Sequence, residues 1–257
     1  MLVLVLDLSG SRWKGDHKGL DLSTLLQNLA LFWRSYFLLD ARNKLALIAY
    51  DQELVSFLVS SEDVTKQQTF EEVVQVFNTN LTKFLSHHKK FDVPLEQPTR
   101  LATALSMALS YSNKANLKLQ ELESRFLVLS VSPEPSVHSI SLMNIVFTAK
   151  KMNIPIDCCI LSCPSLFYPQ ASHITQGIHL DLSPTPALLL PSLLSTFLCD
   201  PYSRQHLPLP KLSSVSLGSS CFCHQRPLTL GFVCTYCLSI YCEKPSECST
   251  CKKHFFS

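Results

Sequence analysis

The stretch LVLVLDLSGS, residues 2–11, decides the fold of this 257-residue chain. Its first five residues are an unbroken apolar run, which is typical of a strand buried on both faces of a parallel sheet. The run ends at Asp7, and polar residues follow it. Because open α/β sheets bind ligands at the carboxyl ends of their strands, we expect a functional site in the loop after Asp7.

Strand and helix patterns alternate along most of the chain. The apolar patterns predict strands at 45–50, 54–59, 126–131, 154–161 and 178–182, and helices at 22–37, 70–85, 99–109, 140–152, 166–174 and 187–198. Pro191 predicts a kink or a late start in the last helix. This alternation is typical of an α/β fold, in which a doubly wound, mostly parallel sheet has helices on both faces. A short polar turn joins the strands at 45–50 and 54–59, so we expect one antiparallel edge strand.

Composition excludes several classes of protein. The net charge is +2 and 16% of the residues are charged, which excludes a strongly basic nucleic-acid tail and a disordered acidic chain. The chain has 6 glycines and neither a GxGxxG nor a GxxxxGK(S/T) motif, which argues against a phosphate-binding loop. The apolar N-terminus is too short for a signal peptide, and no apolar stretch reaches the ~18 residues of a membrane span. We therefore expect a reducing compartment, where clustered cysteines bind metal more often than they form disulfides.

Seven of the 11 cysteines lie within residues 221–257. The spacings Cys234-x-x-Cys237 and Cys248-x-x-Cys251 suit four thiolates at the corners of a tetrahedron, the geometry that Zn²⁺ prefers. This tail is too short to fold by burial alone, so metal binding would supply its folding free energy. We predict that these four cysteines form the main zinc site. The alternative is four reduced cysteines in a small core.

The other metal-capable residues of the tail are Cys221, Cys223, His224 and Cys242. They are candidates for a second zinc site interleaved with the first, and His254 is a further candidate ligand. In the alternative, the chain binds one zinc ion and Cys242 is a thiol of the core. Neither set shows an open coordination position or a general base, so we predict a structural role for one or two zinc ions.

Asp7, Ser9 and Ser11 follow the first strand with the spacing D-x-S-x-S, and Thr99 lies at a predicted helix start. Their carboxylate and hydroxyl oxygens are hard ligands of the kind that Mg²⁺ takes. These residues are therefore candidates for a magnesium site at the carboxyl edge of the sheet. The alternative is that they are ordinary loop and helix-cap residues.

Composition also divides the chain into three segments. We predict an α/β domain at 1–199, a linker rich in serine and proline at 200–220, and a cysteine-rich zinc module at 221–257. Cys158 and Cys159 lie in an apolar run and are expected to be buried thiols of the core. No Ser/His/Asp set has the spacing of a nucleophilic triad, so we expect no enzymatic activity.

Several of these motifs carry a resemblance to known families. The DLSGS motif after the first strand, with TRLATAL at 99–105, resembles the von Willebrand factor A domain. The smaller von Willebrand A-like subunits of TFIIH, the general transcription and DNA-repair factor, are similar in MNIVFTA (143–149), ASHITQG (171–177) and GFVCTYCLSIYC (231–242). The resemblance extends over nearly the whole chain.

This resemblance implies a non-catalytic scaffold of the TFIIH core, which supports RNA polymerase II transcription initiation and nucleotide excision repair in the nucleus. In that family, the A-like domain binds the zinc-bearing C-terminal region of the larger A-like subunit. Through this contact it supports other core subunits, including the helicases. We also expect weak or indirect contact with DNA, and neither a membrane nor a small-molecule substrate.

The chain departs from the metal-binding A domains at one position. Those domains have an aspartate after the strand equivalent to 126–131, whereas this chain has Ser132. With one carboxylate left, the site has little negative charge to compensate the dehydration of Mg²⁺. We therefore expect a relic or weak magnesium site at Asp7, Ser9, Ser11 and Thr99.

Two other functions are compatible with a cysteine-rich tail. One is a RING-like ubiquitin ligase, although a Cys-x-Cys-His opening stands where a RING domain has Cys-x-x-Cys. The other is direct binding of nucleic acid, for which residues 221–257 offer four Lys or Arg against two Glu. Because affinity rises with the number of phosphates neutralised, such binding would be weak and salt-dependent.

Overall fold

The computed structural model divides the chain into two units, Met1–Ser213 and Ser214–Ser257. It describes residues 1–9, 13, 21–40, 42–60, 70–87, 100–118, 123–132, 139–162, 165–209, 219–224, 227–228, 230–237 and 239–255. Two candidate magnesium ligands, Ser11 and Thr99, lie outside these ranges.

A six-stranded sheet forms the centre of the first unit. Its strands are β1 (Leu2–Asp7), β2 (Leu45–Tyr50), β3 (Val55–Val59), β4 (Arg125–Ser130), β5 (Ile156–Ile160) and β6 (His179–Asp181). They lie in the order β3-β2-β1-β4-β5-β6, and neighbours are parallel except for the antiparallel pair β2–β3. This order confirms the predicted doubly wound, mostly parallel sheet with one antiparallel edge strand.

Helices cover both faces of the sheet. They are α1 (Leu22–Leu39), α2 (Phe70–His87), α3 (Leu101–Lys118), α4 (Ser139–Lys151) and α5 (Phe167–Thr175). The core on one face includes side chains of α1 and α2, and the core on the other includes those of α3, α4 and α5. Among the described residues, no helix is both long and apolar enough to cross a membrane.

Both faces of β1 are buried. Leu4 and Leu6 belong to the core beneath α1 and α2, whereas Val3 and Val5 belong to the core beneath α3, α4 and α5. All four side chains are at most 1% exposed. Because successive side chains of a strand point to opposite faces, one apolar run contributes to two cores. Full burial of each such side chain stabilises the fold by about 1.5–3 kcal/mol.

The leucine-rich segment predicted as one helix at 187–198 has a more varied structure. It consists of a 3₁₀ turn (Pro186–Leu188), an α-helical turn α6 (Leu189–Ser192) and a π-helical turn (Leu193–Phe197). Pro191 lies in the first turn of α6, and Pro169 lies in the first turn of α5. Backbone N–H groups in a first turn have no intrahelical acceptor, so proline is tolerated at both positions.

A short helix, α7 (Pro201–Arg204), lies within the segment predicted as a linker. The carboxylate of Asp200 caps α7 by accepting a hydrogen bond from the backbone N–H of Ser203 at 3.2 Å. Since α7 belongs to the first unit, which extends to Ser213, this part of the predicted linker is helical.

A buried carboxylate holds α7 to the sheet. The guanidinium of Arg204 donates to both oxygens of Asp157, at 2.9 and 2.5 Å. Asp157 lies in β5, is fully buried, and also accepts the backbone N–H of Ile178 at 2.9 Å. Its partners therefore come from distant parts of the chain, and we call Asp157, Arg204 and Arg125 the Asp157 cluster.

Arg125 completes the Asp157 cluster. Its guanidinium lies 4.0 Å from Asp157 and donates to the carbonyl oxygens of Cys199 at 2.6 Å and Leu198 at 3.2 Å. Burial lowers the pKa of Arg125, and the Asp157 carboxylate opposes that change. The cluster thus ties β4 and β5 to the segment that leads into α7.

Replacing Asp157 tests this role. Asp157→Ala leaves two largely buried guanidinium groups without their carboxylate, so urea titration should show the free energy of unfolding falling by about 3–5 kcal/mol. The matched control is Asp40→Ala, which removes an exposed ion pair with Arg42 (2.9 Å) and should lower the free energy of unfolding far less. Equal losses in the two variants would show that the Asp157 cluster does not stabilise the domain.

Candidate metal centre

Two small hairpins form the strands of the second unit in its described part. β7 (Ser219–Ser220) pairs with β8 (Pro227–Leu228), and β9 (Phe232–Val233) pairs with β10 (Ile240–Tyr241), both antiparallel. Each Cys-x-x-Cys pair lies on one turn, Cys234 and Cys237 directly after β9, and Cys248 and Cys251 further along the chain.

The sulfurs of these four residues converge, and we call them the four-cysteine cluster. Cys234 Sγ lies 3.7 Å from Cys251 Sγ, and Cys237 Sγ lies 3.5 Å from Cys248 Sγ. All four sulfurs lie within 4.8 Å of one another. A tetrahedral site with ~2.3 Å zinc–sulfur bonds has sulfur–sulfur edges of about 3.8 Å, so the observed spacing suits such a site.

The surroundings of the four-cysteine cluster favour metal binding. The hydroxyl of Tyr241 lies 3.1 Å from Cys248 Sγ, and that of Ser239 lies 3.2 Å from Cys237 Sγ. Burial raises the pKa of Cys248, but the Tyr241 hydroxyl and backbone N–H groups outweigh it and lower that pKa to about 6. Burial and the sulfurs of Cys237 and Cys248 raise the pKa of Cys251 to about 12. Metal ligation requires the thiolate form of cysteine, so a bound cation would favour ionisation in this cluster.

Few apolar side chains surround this cluster. In the described part of the second unit, the buried apolar residues are Cys221, Cys234, Tyr241 and Cys248. Phe222 and Phe255 pack against Tyr241, and their ring centroids lie 6.4 and 5.6 Å, respectively, from that of Tyr241. Three of the four buried residues are cysteines, so burial alone gives this unit little stability and metal ligation would supply the remainder.

A second set of ligands converges in the same unit. This mixed cluster consists of Cys221, Cys223, His224 and Cys242, and its four ligand atoms lie within 4.8 Å of one another. The structure thus brings together the residues predicted for a second site. The further candidate His254 lies elsewhere, with its Nδ1 3.4 Å from the carbonyl oxygen of Ser246.

Asp7 and Ser9 lie together at the carboxyl end of β1, at the candidate magnesium site. Asp7 Oδ1 accepts hydrogen bonds from the backbone N–H and the hydroxyl of Ser9, at 3.0 and 2.6 Å. Asp7 Oδ2 accepts the backbone N–H groups of Val131 at 3.2 Å and Ser132 at 2.9 Å. Both carboxylate oxygens are therefore satisfied by the chain itself, and a role for these residues in binding magnesium stays a prediction.

Two residues that the sequence patterns did not single out also belong to this site. Ser130 Oγ lies 3.3 Å from Asp7 Oδ2 and accepts a hydrogen bond from the Tyr168 hydroxyl at 2.7 Å. Ser130 ends the strand beside β1, which is a usable signal, whereas no local pattern points to Tyr168. Ser132, at the position of the missing aspartate, is 2% exposed, and its hydroxyl has no hydrogen-bond partner among the described residues. The site therefore joins β1, β4 and α5.

Cys158 and Cys159 are buried core thiols of β5, as predicted. Burial raises the pKa of Cys158 to about 12, so this thiol is protonated and unreactive at neutral pH. Within the described ranges, groups of three or more His, Cys, Asp or Glu ligands converge only in the four-cysteine cluster and the mixed cluster. The candidate metal centres thus lie in the second unit.

Comparison with known proteins bears on the family to which the chain belongs. A family model described as Transcription factor Tfb4 matches residues 1–252. General transcription factor IIH subunit 3 of Dictyostelium discoideum is 34% identical over 250 residues, which cover 90% of this chain and 67% of that protein. The General transcription and DNA repair factor IIH subunit tfb4 of Schizosaccharomyces pombe is 32% identical over 268 residues, which cover 99% and 88%.

Solved structures agree with the fold. The crystal structure of the TFIIH p34 N-terminal domain matches with a TM-score of 0.65 and 25% identity, over 75% of this chain and 95% of that one. The SpRpn10 VWA domain has the same fold, with a TM-score of 0.50 and 13% identity over 76% of this chain and 93% of that one. Both the predicted von Willebrand A-like fold and the resemblance to the smaller A-like TFIIH subunits are confirmed. The chain belongs to the Tfb4 family of transcription factors.

Proposed function

We propose that the chain is a non-catalytic scaffold subunit of the TFIIH core, which acts in the nucleus in RNA polymerase II transcription initiation and nucleotide excision repair. The observation that carries this proposal is the family match over residues 1–252, which includes parts of both units. The relative from Schizosaccharomyces pombe, named as a subunit of the general transcription and DNA repair factor IIH, is matched over 99% of this chain.

The chemistry of the described residues supports a scaffold rather than an enzyme. The Asp7 carboxylate is occupied by hydrogen bonds from Ser9, Val131 and Ser132, so it is poorly placed to act on a substrate. The four-cysteine cluster supplies four ligands from the chain, which is the arrangement of a structural zinc site. We therefore propose that zinc in this cluster folds the second unit and carries out no reaction.

Exposed apolar side chains support a role in protein contacts. Leu38 and Leu39, at the end of α1, are 79% and 62% exposed, and Leu230 in the second unit is 88% exposed. Adjacent exposed apolar residues such as Leu38 and Leu39 offer apolar surface of the kind found at interaction sites. The proposed direct partner is the larger von Willebrand A-like subunit of TFIIH, bound through its zinc-bearing C-terminal region. Through that contact, the chain would support the other core subunits, including the helicases. Any contact of the chain with DNA would be weak or indirect.

The two alternative functions gain no support. The names of the relatives point to a transcription factor subunit and not to a ubiquitin ligase. The nucleic-acid alternative rests on the small positive charge of the tail, and a net charge of +2 neutralises few phosphates.

A binding experiment tests the scaffold proposal. The full chain, coexpressed with the zinc-bearing C-terminal region of the larger A-like subunit, should coelute with it at equal stoichiometry on size exclusion. A von Willebrand A domain from an unrelated complex serves as the control and should elute alone. If the full chain also elutes alone, the proposed partnership is wrong.

A second experiment concerns magnesium. Because both oxygens of Asp7 already accept hydrogen bonds, saturating MgCl₂ should leave the melting temperature of the full chain unchanged. Asp7→Ala should lower the free energy of unfolding by about 3 kcal/mol or more, since buried N–H donors lose their acceptor. The matched control Asp21→Ala removes an exposed helix cap, whose carboxylate accepts the Thr24 N–H at 3.0 Å, and should lower the free energy of unfolding clearly less. A melting temperature that rises with Mg²⁺ in the wild type but not in Asp7→Ala would reveal a working metal site.

A further inference from the structure

We propose that Cys221, Cys223, His224 and Cys242 bind a second zinc ion, in a site interleaved with the four-cysteine cluster. This inference goes beyond the scaffold role, which requires no particular number of zinc ions. It favours two zinc ions over the alternative, in which the tail binds one ion and Cys242 is a thiol of the core.

The ligand atoms of the mixed cluster converge on one point. His224 Nδ1 lies 3.1 Å from Cys223 Sγ and 3.2 Å from Cys242 Sγ, and Cys223 Sγ lies 3.6 Å from Cys242 Sγ. Cys221 Sγ lies 2.7 Å from Cys223 Sγ, which is longer than the ~2.05 Å of a disulfide bond. It is shorter than the edge of about 3.8 Å in a tetrahedral zinc site, so these two sulfurs would move apart when an ion binds. Three sulfurs and one imidazole nitrogen thus share a space that suits a single ion.

Backbone donors orient the buried ligand of this set. The N–H groups of Cys223 and Cys242 both donate to Cys221 Sγ, at 3.4 and 3.2 Å. Such donors hold a thiolate in place and direct its remaining lone pairs toward a metal. Cys221 is 1% exposed, whereas Cys223 and His224 are exposed, so an ion can enter from solvent on that side. The cluster therefore has a preformed ligand and an entry path.

The donor set indicates which metal it takes. Thiolate and imidazole are soft to intermediate ligands that suit zinc, whereas Mg²⁺ and Ca²⁺ require oxygen ligands. Three cysteines and one histidine form a known closed set for structural zinc. All four positions come from the chain, so the ion would be structural.

Chain order interleaves the two sites. Cys221, Cys223 and His224 belong to the mixed cluster, and Cys234 and Cys237 to the four-cysteine cluster. Cys242 then belongs to the mixed cluster again, and Cys248 and Cys251 to the four-cysteine cluster. The segment that carries each ligand set therefore encloses at least one ligand of the other set. The order is that of a cross-brace rather than of two independent fingers.

The strand β10 links the two sites physically. Its last residue, Tyr241, has its hydroxyl 3.1 Å from Cys248 Sγ, and the next residue is Cys242. The backbone N–H of Phe222 donates to the carbonyl oxygen of Ile240 at 2.8 Å, which pairs the start of the mixed cluster with the same strand. Loss of the second ion should therefore loosen the support of the first, and we expect a chelator to extract the first ion about tenfold more readily.

Metal counting on the intact full chain tests the proposal. Native mass spectrometry of wild-type chain loaded with Zn²⁺ should show two ions, and Cys242→Ser should show one. The reciprocal variant Cys237→Ser should also lose an ion, from the other cluster. Cys199→Ser changes a thiol outside both clusters and should keep two ions. A wild-type chain with one ion, or a Cys242→Ser chain with two, would overturn the proposal.

Cobalt spectra decide the outcome if either cysteine variant loses both ions. The full chain loaded with Co²⁺ should show one site with four sulfurs and one with three sulfurs and a nitrogen. His224→Cys should keep two ions and convert the second spectrum into that of a site with four sulfurs. An unchanged cobalt spectrum in His224→Cys, or a Cys221–Cys223 disulfide found in freshly purified chain, would contradict the site.

Discussion

The first unit depends on one constraint, which is that β1 is covered on both faces and paired on both edges. Its residues pair in parallel with β2 on one side and β4 on the other. Alternate side chains enter two separate cores, so helices are needed on both faces of the sheet. The carboxyl end of this strand is also fixed, because the buried Asp7 carboxylate accepts hydrogen bonds from the chain that follows β4. Asp7 lies in a motif that resembles a magnesium site, but its carboxylate connects the end of β1 to the end of β4.

The second unit, in contrast, has only a small apolar core in its described part. Its described part buries one large apolar side chain, Tyr241, together with three cysteines. Tyr241 packs between two aromatic rings and places its hydroxyl on Cys248, so the small core and the four-cysteine cluster share a residue. We propose that stability here comes from metal ligation rather than from buried area, which would account for the concentration of cysteines in so short a segment. The chain thus joins a domain stabilised by burial to a module that we propose is stabilised by metal.

Sequence patterns predicted the features that depend on local spacing. The apolar run at 2–6 and the alternation of strands and helices predicted the sheet, and the two Cys-x-x-Cys pairs predicted a convergent cluster. Features that depend on distant pairs escaped prediction. Arg204 lies 47 residues from Asp157 in a segment whose composition is typical of a linker, so no pattern indicates their ion pair. Tyr168 reaches Ser130 across 38 residues, and only packing of α5 on the sheet brings them together.

The most direct test of this account is hydrogen–deuterium exchange of the full chain with and without a strong zinc chelator. The account predicts that chelation abolishes protection of the amides at 232–234 and 240–242, while those of β1, β2 and β4 stay protected, because burial holds the first unit and metal holds the second. Protection of 232–242 that survives complete removal of metal would contradict it.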